Sequence, residues 1–136
     1  MKLVTKDIHY AIKALLYIAR DPAKVVSVNE LVKKMHMRRA FLRRILQALS
    51  RHKILKSSQG RGGGFMMNVK PDKIRIIEIV GIFHKKADIV DYLLEKDICP
   101  HPHKCLLMRK LTNIETQLRD ALNRLTMARL LKSVSN

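Results

Sequence analysis

The sequence predicts a mainly α-helical fold with one two-stranded β ribbon and a long helix near the C-terminus. Three patterns carry that prediction. Apolar residues recur every three or four positions over most of the chain. Four of the five glycines crowd into residues 60–64, between two short apolar runs. From Leu107 onward, Leu and Ile repeat at alternating intervals of three and four.

Residues 5–20 form the first expected helix, with Thr5 at its N-cap. Ile8, Ala11, Ile12, Leu15, Ile18 and Ala19 make its apolar stripe. Asp21-Pro22 ends it, because proline disfavours helical backbone in the residue before it. Ser27-Val28-Asn29-Glu30 has the form of a capping box. The Ser27 oxygen accepts from the Glu30 amide, and the Glu30 carboxylate reaches back to the Ser27 amide. A short helix follows to Met35, with Leu31 and Met35 on one face.

After a turn at His36-Met37, a second helix spans residues 38–52. Its apolar positions are Phe41, Leu42, Ile45, Leu46 and Leu49, and its other face carries Arg38, Arg39, Arg43, Arg44, Gln47 and Arg51. Two helices joined by so short a turn make a helix-turn-helix, and the basic face of the second suits a DNA major groove. Taken alone, it is equally an amphipathic surface helix with solvated arginines.

The next segment decides between these. Residues 54–57 and 65–68 pair as short strands around Ser58-Gln59-Gly60-Arg61-Gly62-Gly63-Gly64. Such a tip has positive φ available and lets backbone approach a phosphate closely. It lacks the Gly-Lys-Ser/Thr ending of a nucleotide-binding loop and joins two strands rather than a strand and a helix. A helix-turn-helix followed by a Gly/Arg hairpin is a winged helix-turn-helix.

Pro71-Asp72-Lys73 forms a turn, and a helix from Ile76 to Phe83 buries Ile76, Ile77, Ile79, Val80 and Phe83. Pro100 and Pro102 exclude a helix from Asp97-Ile98-Cys99-Pro100-His101-Pro102-His103-Lys104-Cys105. Residues 106–125 make the longest helix. Leu107, Leu111, Ile114, Leu118, Ala121 or Leu122, and Leu125 form a seam of the coiled-coil type. The N-terminal part has its own core, so a second chain is the expected partner of that seam, in a symmetric dimer. Thr126 caps a last short helix through Leu131. The chain divides into a DNA-binding unit over residues 1–83, a Cys/His sensor loop over 84–105, and a dimerisation helix with its tail over 106–136.

Charge narrows the function. The chain has 28 Lys and Arg against 11 Asp and Glu, a formal +17 over 136 residues. So large an excess repels itself unless an anionic partner is near, and double-stranded DNA is the leading candidate. Arg38, Arg39, Arg43, Arg44 and Gln47 are the candidate contacts from the basic helix. Arg43 and Gln47 lie one turn apart, with chemistry suited to guanine and adenine edges. Arg61 at the wing tip is the minor-groove candidate. No run approaches the ~18 apolar residues of a membrane span. The N-terminal residues lack the apolar stretch of a signal peptide. A cytoplasmic protein without a membrane partner is expected. The basic residues spread over several elements, which disfavours a membrane-surface role. A non-specific architectural binder shows the same charge, but has no need of the Cys-Pro-His-Pro-His-Lys-Cys loop. The chain shows no Ser-His-Asp order, paired-carboxylate setting or nucleotide-phosphate motif, so no enzyme is expected.

These residues resemble the Rrf2 family of bacterial winged helix-turn-helix transcriptional regulators, of the IscR/NsrR type. The marks are Met1-Lys2-Leu3 leading to Tyr10-Ala11-Ile12, Phe41-Leu42 in the basic helix, and Ser57-Ser58-Gln59-Gly60-Arg61-Gly62-Gly63-Gly64-Phe65 as the wing. Ile76-Ile77-Glu78-Ile79-Val80, the Cys loop and the final long helix follow in the family's order. The resemblance implies a homodimer on a near-palindromic operator and a sensor in the loop before the long helix. Cluster-binding members carry three cysteines there, the last two often six apart. Cys99 and Cys105 match those two, whereas no cysteine occurs near Leu93, where the first belongs. Some members borrow a ligand from the first helix of the other subunit, and the matching position here is His9 or, two residues earlier, Asp7. The resemblance therefore implies an iron–sulfur cluster, [2Fe–2S] or [4Fe–4S], held by Cys99, Cys105 and a non-cysteine ligand such as His9. His101 and His103 are further candidates.

Other readings of the same residues stay open. Cys99 and Cys105 with His101 or His103 suit a closed zinc site. The two thiols also suit a reversible disulfide, or the sensor is absent. A lone His9 is more often an ordinary surface or core histidine than a ligand.

Overall fold

A computed structural model of the chain describes residues 5–84 and 104–135. Helix α1 (Lys6–Ala19) is followed by α2 (Val28–Met35) and α3 (Arg39–Arg51). Strands β1 (Leu55–Ser58) and β2 (Gly64–Met67) come next, then a 3-10 turn (Pro71–Lys73) and α4 (Ile76–Phe83). Helices α5 (Leu106–Arg124) and α6 (Met127–Ser135) complete the described residues.

The caps are those the local sequence calls for. Thr5 accepts from the Ile8 amide at 3.4 Å, Ser27 from the Glu30 amide at 3.1 Å, and Thr126 from the Arg129 amide at 3.3 Å. The second half of the capping box is different. The Glu30 carboxylate accepts from the Tyr17 hydroxyl at 2.6 Å and from Lys24 Nζ at 3.1 Å. The charge-assisted bond from Tyr17 ties α1 to α2, and that from Lys24 ties the connecting loop to α2. The Tyr17 hydrogen bond, followed by that of Lys24, holds Glu30 below the usual carboxylate range. The same bond to Glu30 raises the Tyr17 phenol.

The turn between α2 and α3 uses an unusual residue. His36 caps α2 in the left-handed region, at φ 52° and ψ 46°, and its amide donates to the Val32 carbonyl at 3.0 Å. A side chain there costs of order 1 kcal/mol. Burial of Met37, the next residue, holds the turn against that cost.

β1 and β2 pair antiparallel, with Leu55 opposite Met67 and Ser58 opposite Gly64. The other edge of β2 is bonded as well. Val26 and Phe65 exchange amide-to-carbonyl bonds, both 2.8 Å long. The wing is therefore rooted on the residue just before the α2 cap. Gly64 makes that approach possible, because a Cβ there would overlap the Val26 carbonyl and crowd Ser27 Cα. Gly64→Ala is expected to lower stability by about 2 kcal/mol, read as the midpoint of urea unfolding. Gly60 and Gly62, at φ 91° and 75°, turn the tip.

The core is aliphatic. Leu15 and Ile18 of α1, Leu31 of α2, Leu42, Ile45, Leu46 and Leu49 of α3, Ile79 of α4 and Met127 of α6 are all fully buried. No polar or charged residue is buried among those described. The presence of Met127 in this set is informative. After α5 the chain returns: the Ile76 amide donates to the Leu125 carbonyl and the Met127 amide to the Ile74 carbonyl, both at 2.9 Å. α6 then packs on α1 and the 3-10 turn, with Leu130 and Leu131 half-buried against the core. The sequence grouped residues 106–136 together, yet α6 shares the core of the N-terminal unit. α5 differs from every helix around it. None of its residues is buried, and Leu106, Leu107 and Ile114 are 61%, 52% and 57% exposed.

Candidate nucleic-acid interface

The apolar face of α3 fixes where its polar face points. With Leu42, Ile45, Leu46 and Leu49 in the core, Arg39, Arg43, Gln47 and Arg51 fall four residues apart along one outward line. This line, with Ser50 beside it, forms one wall of an open groove of about 600 Å³. The N-terminal turn of α2 (Ser27, Val28, Asn29) and the wing (Ser57, Ser58, Gln59, Gly60, Gly63, Gly64, Phe65) form the rest. Three arginines and no carboxylate line it. A cleft walled by one sign of charge concentrates its field on an incoming polyanion. Hydroxyl and amide groups of Ser27, Asn29, Gln47, Ser50 and Ser57 add neutral donors and acceptors suited to phosphate and base edges.

The six residues singled out from sequence separate in space. Arg39, Arg43 and Gln47 meet in the groove. Arg61 is exposed at the turn of the wing, beyond the groove lining, and Arg38 is exposed at the N-cap of α3. Arg44 lies to the other side. Its Nη2 donates to both oxygens of Asp7, at 3.2 and 3.4 Å, and its guanidinium sits 5.0 Å from the centre of the Phe41 ring. Arg51 joins the groove although sequence reasoning did not select it. The signal was present, since it stands four residues after Gln47. Ser50, three residues after Gln47 on α3, carries the same helical signal. Asn29 and Ser57 had no local signal, because they reach the groove only through the packing of α2 and β1 beside α3.

Of the candidate metal ligands, His9 is exposed on α1, its ring edge-on to Tyr10 at 5.3 Å. Asp7 is engaged by Arg44. Cys105 is half-buried at the N-cap of α5 and is disulfide-bonded. Cys99, His101 and His103 lie outside the described residues. Among the described residues no three His, Cys, Asp or Glu side chains gather closely enough to hold a metal ion.

The model of a family described as "Rrf2: Iron-dependent Transcriptional regulator" matches residues 4–133. The chain belongs to the Rrf2 family. Over 120 residues this Rrf2 protein is 29% identical to a protein of Aquifex aeolicus named as an HTH-type transcriptional regulator, covering 87% of the chain and 83% of that relative. It is 23% identical to the HTH-type transcriptional regulator IscR of Sodalis glossinidius, covering 98% of the chain and 80% of the relative. Among solved structures, CymR of B. subtilis, the global cysteine regulator, superposes with a TM-score of 0.78 at 18% identity, covering 98% of both chains. IscR of T. potens superposes with a TM-score of 0.77 at 18% identity, over 98% of this chain and 88% of that one. The structural likenesses establish the winged helix-turn-helix fold, and family membership makes the chain a DNA-binding transcriptional regulator rather than an enzyme. Among the described residues no helix is long and apolar enough to cross a membrane.

Proposed function

We propose that this Rrf2 regulator acts as a homodimer that binds a near-palindromic operator sequence-specifically and resides in the cytoplasm. The observation that carries the reading is the groove: Arg39, Arg43, Gln47 and Arg51 in line on α3, facing a glycine-tipped wing. In this reading α3 enters the major groove. Arg43 and Gln47 meet base edges, Arg39 and Arg51 meet the phosphates on either side, and Arg61 reaches an adjacent minor groove. Arg43→Ala is expected to lower operator affinity about 10- to 100-fold while lowering random-DNA affinity far less. Equal losses on the two DNAs in a fluorescence-anisotropy titration would remove Arg43 from base recognition.

The description of the family as iron-dependent supports a sensor in the Cys loop. The donor set is of the right kind: thiolates and imidazoles suit an iron–sulfur cluster. Cys99 and Cys105 would hold it, with His9 from the second subunit as the non-cysteine ligand and His101 or His103 next in order. Asp7 fits this set less well, because Arg44 already engages its carboxylate. A bound cluster, [2Fe–2S] or [4Fe–4S], supplies a centre that responds to redox state or nitric oxide. The disulfide at Cys105 favours a second reading, a thiol–disulfide switch without a cluster. Zinc is a third occupant for the same donors. Protein purified without oxygen separates them. Iron and sulfide in equal amounts with a visible absorption band support the cluster. Zinc without colour supports a closed structural site. A metal-free protein that still fails to take up iron and sulfide on reconstitution leaves the thiol switch.

A further inference from the structure

Arg44 leaves α3 one residue after Arg43, about 100° around the helix from the groove line. It is held from two sides. Asp7 of α1 takes Nη2 with both carboxylate oxygens, and the Phe41 ring lies beneath the guanidinium. Phe41 is itself braced edge-on by Tyr10 of α1, at 5.8 Å and 88°. The Arg44 side chain nevertheless remains 63% exposed. A salt bridge so open to water contributes little to folding, so its effect falls on the orientation of the guanidinium. Asp7 engages Nη2 alone. The second N–H of Nη2, paired with Nε or Nη1, leaves one two-donor edge of the guanidinium uncommitted among the described residues. A planar donor fork fixed in direction matches the O6 and N7 acceptors of a guanine. An arginine free to rotate would follow whichever phosphate or base lay nearest.

We infer that Asp7 is a specificity-determining positioning residue, which holds Arg44 to read one guanine in each half-site. This rests on the proposal above that α3 lies in the major groove. Holding the fork in advance reduces the ordering that binding requires. It also disfavours a second hydrogen bond to the other bases, because swinging the fork to find one breaks the contact with Asp7.

The test selects binding sites from a randomised duplex pool, using the full-length protein and three variants: Asp7→Ala, Arg44→Lys and Arg43→Ala. Asp7→Ala and Arg44→Lys are expected to flatten the preference for the same single guanine about tenfold. Other positions should stay unchanged, and Asp7→Ala should bind random DNA at least as tightly as the parent, since it loses a negative charge. Arg44→Lys keeps the charge and loses the fork, so it separates geometry from electrostatics. If Asp7→Ala weakens every position together, its role is structural and the inference fails. If it keeps the parental preferences, with or without loss of bound iron, the inference also fails. Arg43→Ala tells this failure from that of the underlying reading. A position altered by Arg43→Ala alone overturns only the role of Asp7, whereas preferences altered by none of the three overturn the placement of α3.

Discussion

Ile114→Asp is expected to yield folded monomers whose affinity for a two-half-site operator is at least about 100-fold below that of the parent. The residue is 57% exposed in the single chain and no residue of α5 is buried, so the substitution removes nothing from the core. Its burden falls on the interface alone. A 19-residue helix that carries Leu107, Leu111, Ile114, Leu118 and Leu122 at intervals of four, three, four and four has the seam a second helix needs. Placing an unpaired carboxylate in that seam opposes its closure strongly. Without the second chain each winged helix meets its half-site alone, and the advantage of linked binding disappears. Sedimentation velocity reads the association state and urea unfolding reads the fold. A variant that remains dimeric, or a parent that is monomeric at micromolar concentration, contradicts the assignment of α5.

The combined variant Arg39→Gln, Arg51→Gln is expected to change the salt dependence of binding. These two cations flank Arg43 and Gln47, the proposed base-reading positions, in the lining of the groove. Every phosphate that is no longer neutralised takes about 0.9 from the slope of log affinity against log salt. Two residues in each of two protomers therefore lower the slope by about three to four units. Affinity for random DNA should fall together with affinity for the operator, in contrast with Arg43→Ala. A slope unchanged within error would mean that neither side chain touches the phosphate backbone.

The features visible in the sequence are the ones that local chemistry decides. Thr5, Ser27 and Thr126 announce helix starts because a side-chain oxygen satisfies an amide two or three residues on. The wing is legible because positive φ at Gly60 and Gly62 leaves few residues to choose from. The stripe on α3 follows from helical period. The features that were hidden all depend on residues distant in sequence. Glu30 completes no capping box, because Tyr17, thirteen residues earlier, offers its carboxylate a phenol. The second edge of β2 is closed by the single residue Val26, too short a segment to show any strand pattern. By sequence Arg44 is one more arginine of the basic face, and only the fold sets Asp7, 37 residues away, beside it. α6 joins the core through Met127, Leu130 and Leu131. That spacing was legible as an apolar face, but nothing local says which core receives it. The Cys/His loop is different again. Its spacing is clear, but the thiol and imidazole chemistry it offers serves several occupants.

The most direct test of the central claim is selection of duplexes by the full-length protein from a randomised pool at fixed salt. A sequence-specific dimer predicts two inverted half-sites centred about 10 base pairs, or one helical turn, apart. A pool that stays random while binding remains steeply salt-dependent would contradict it, leaving a basic protein that coats DNA without reading it.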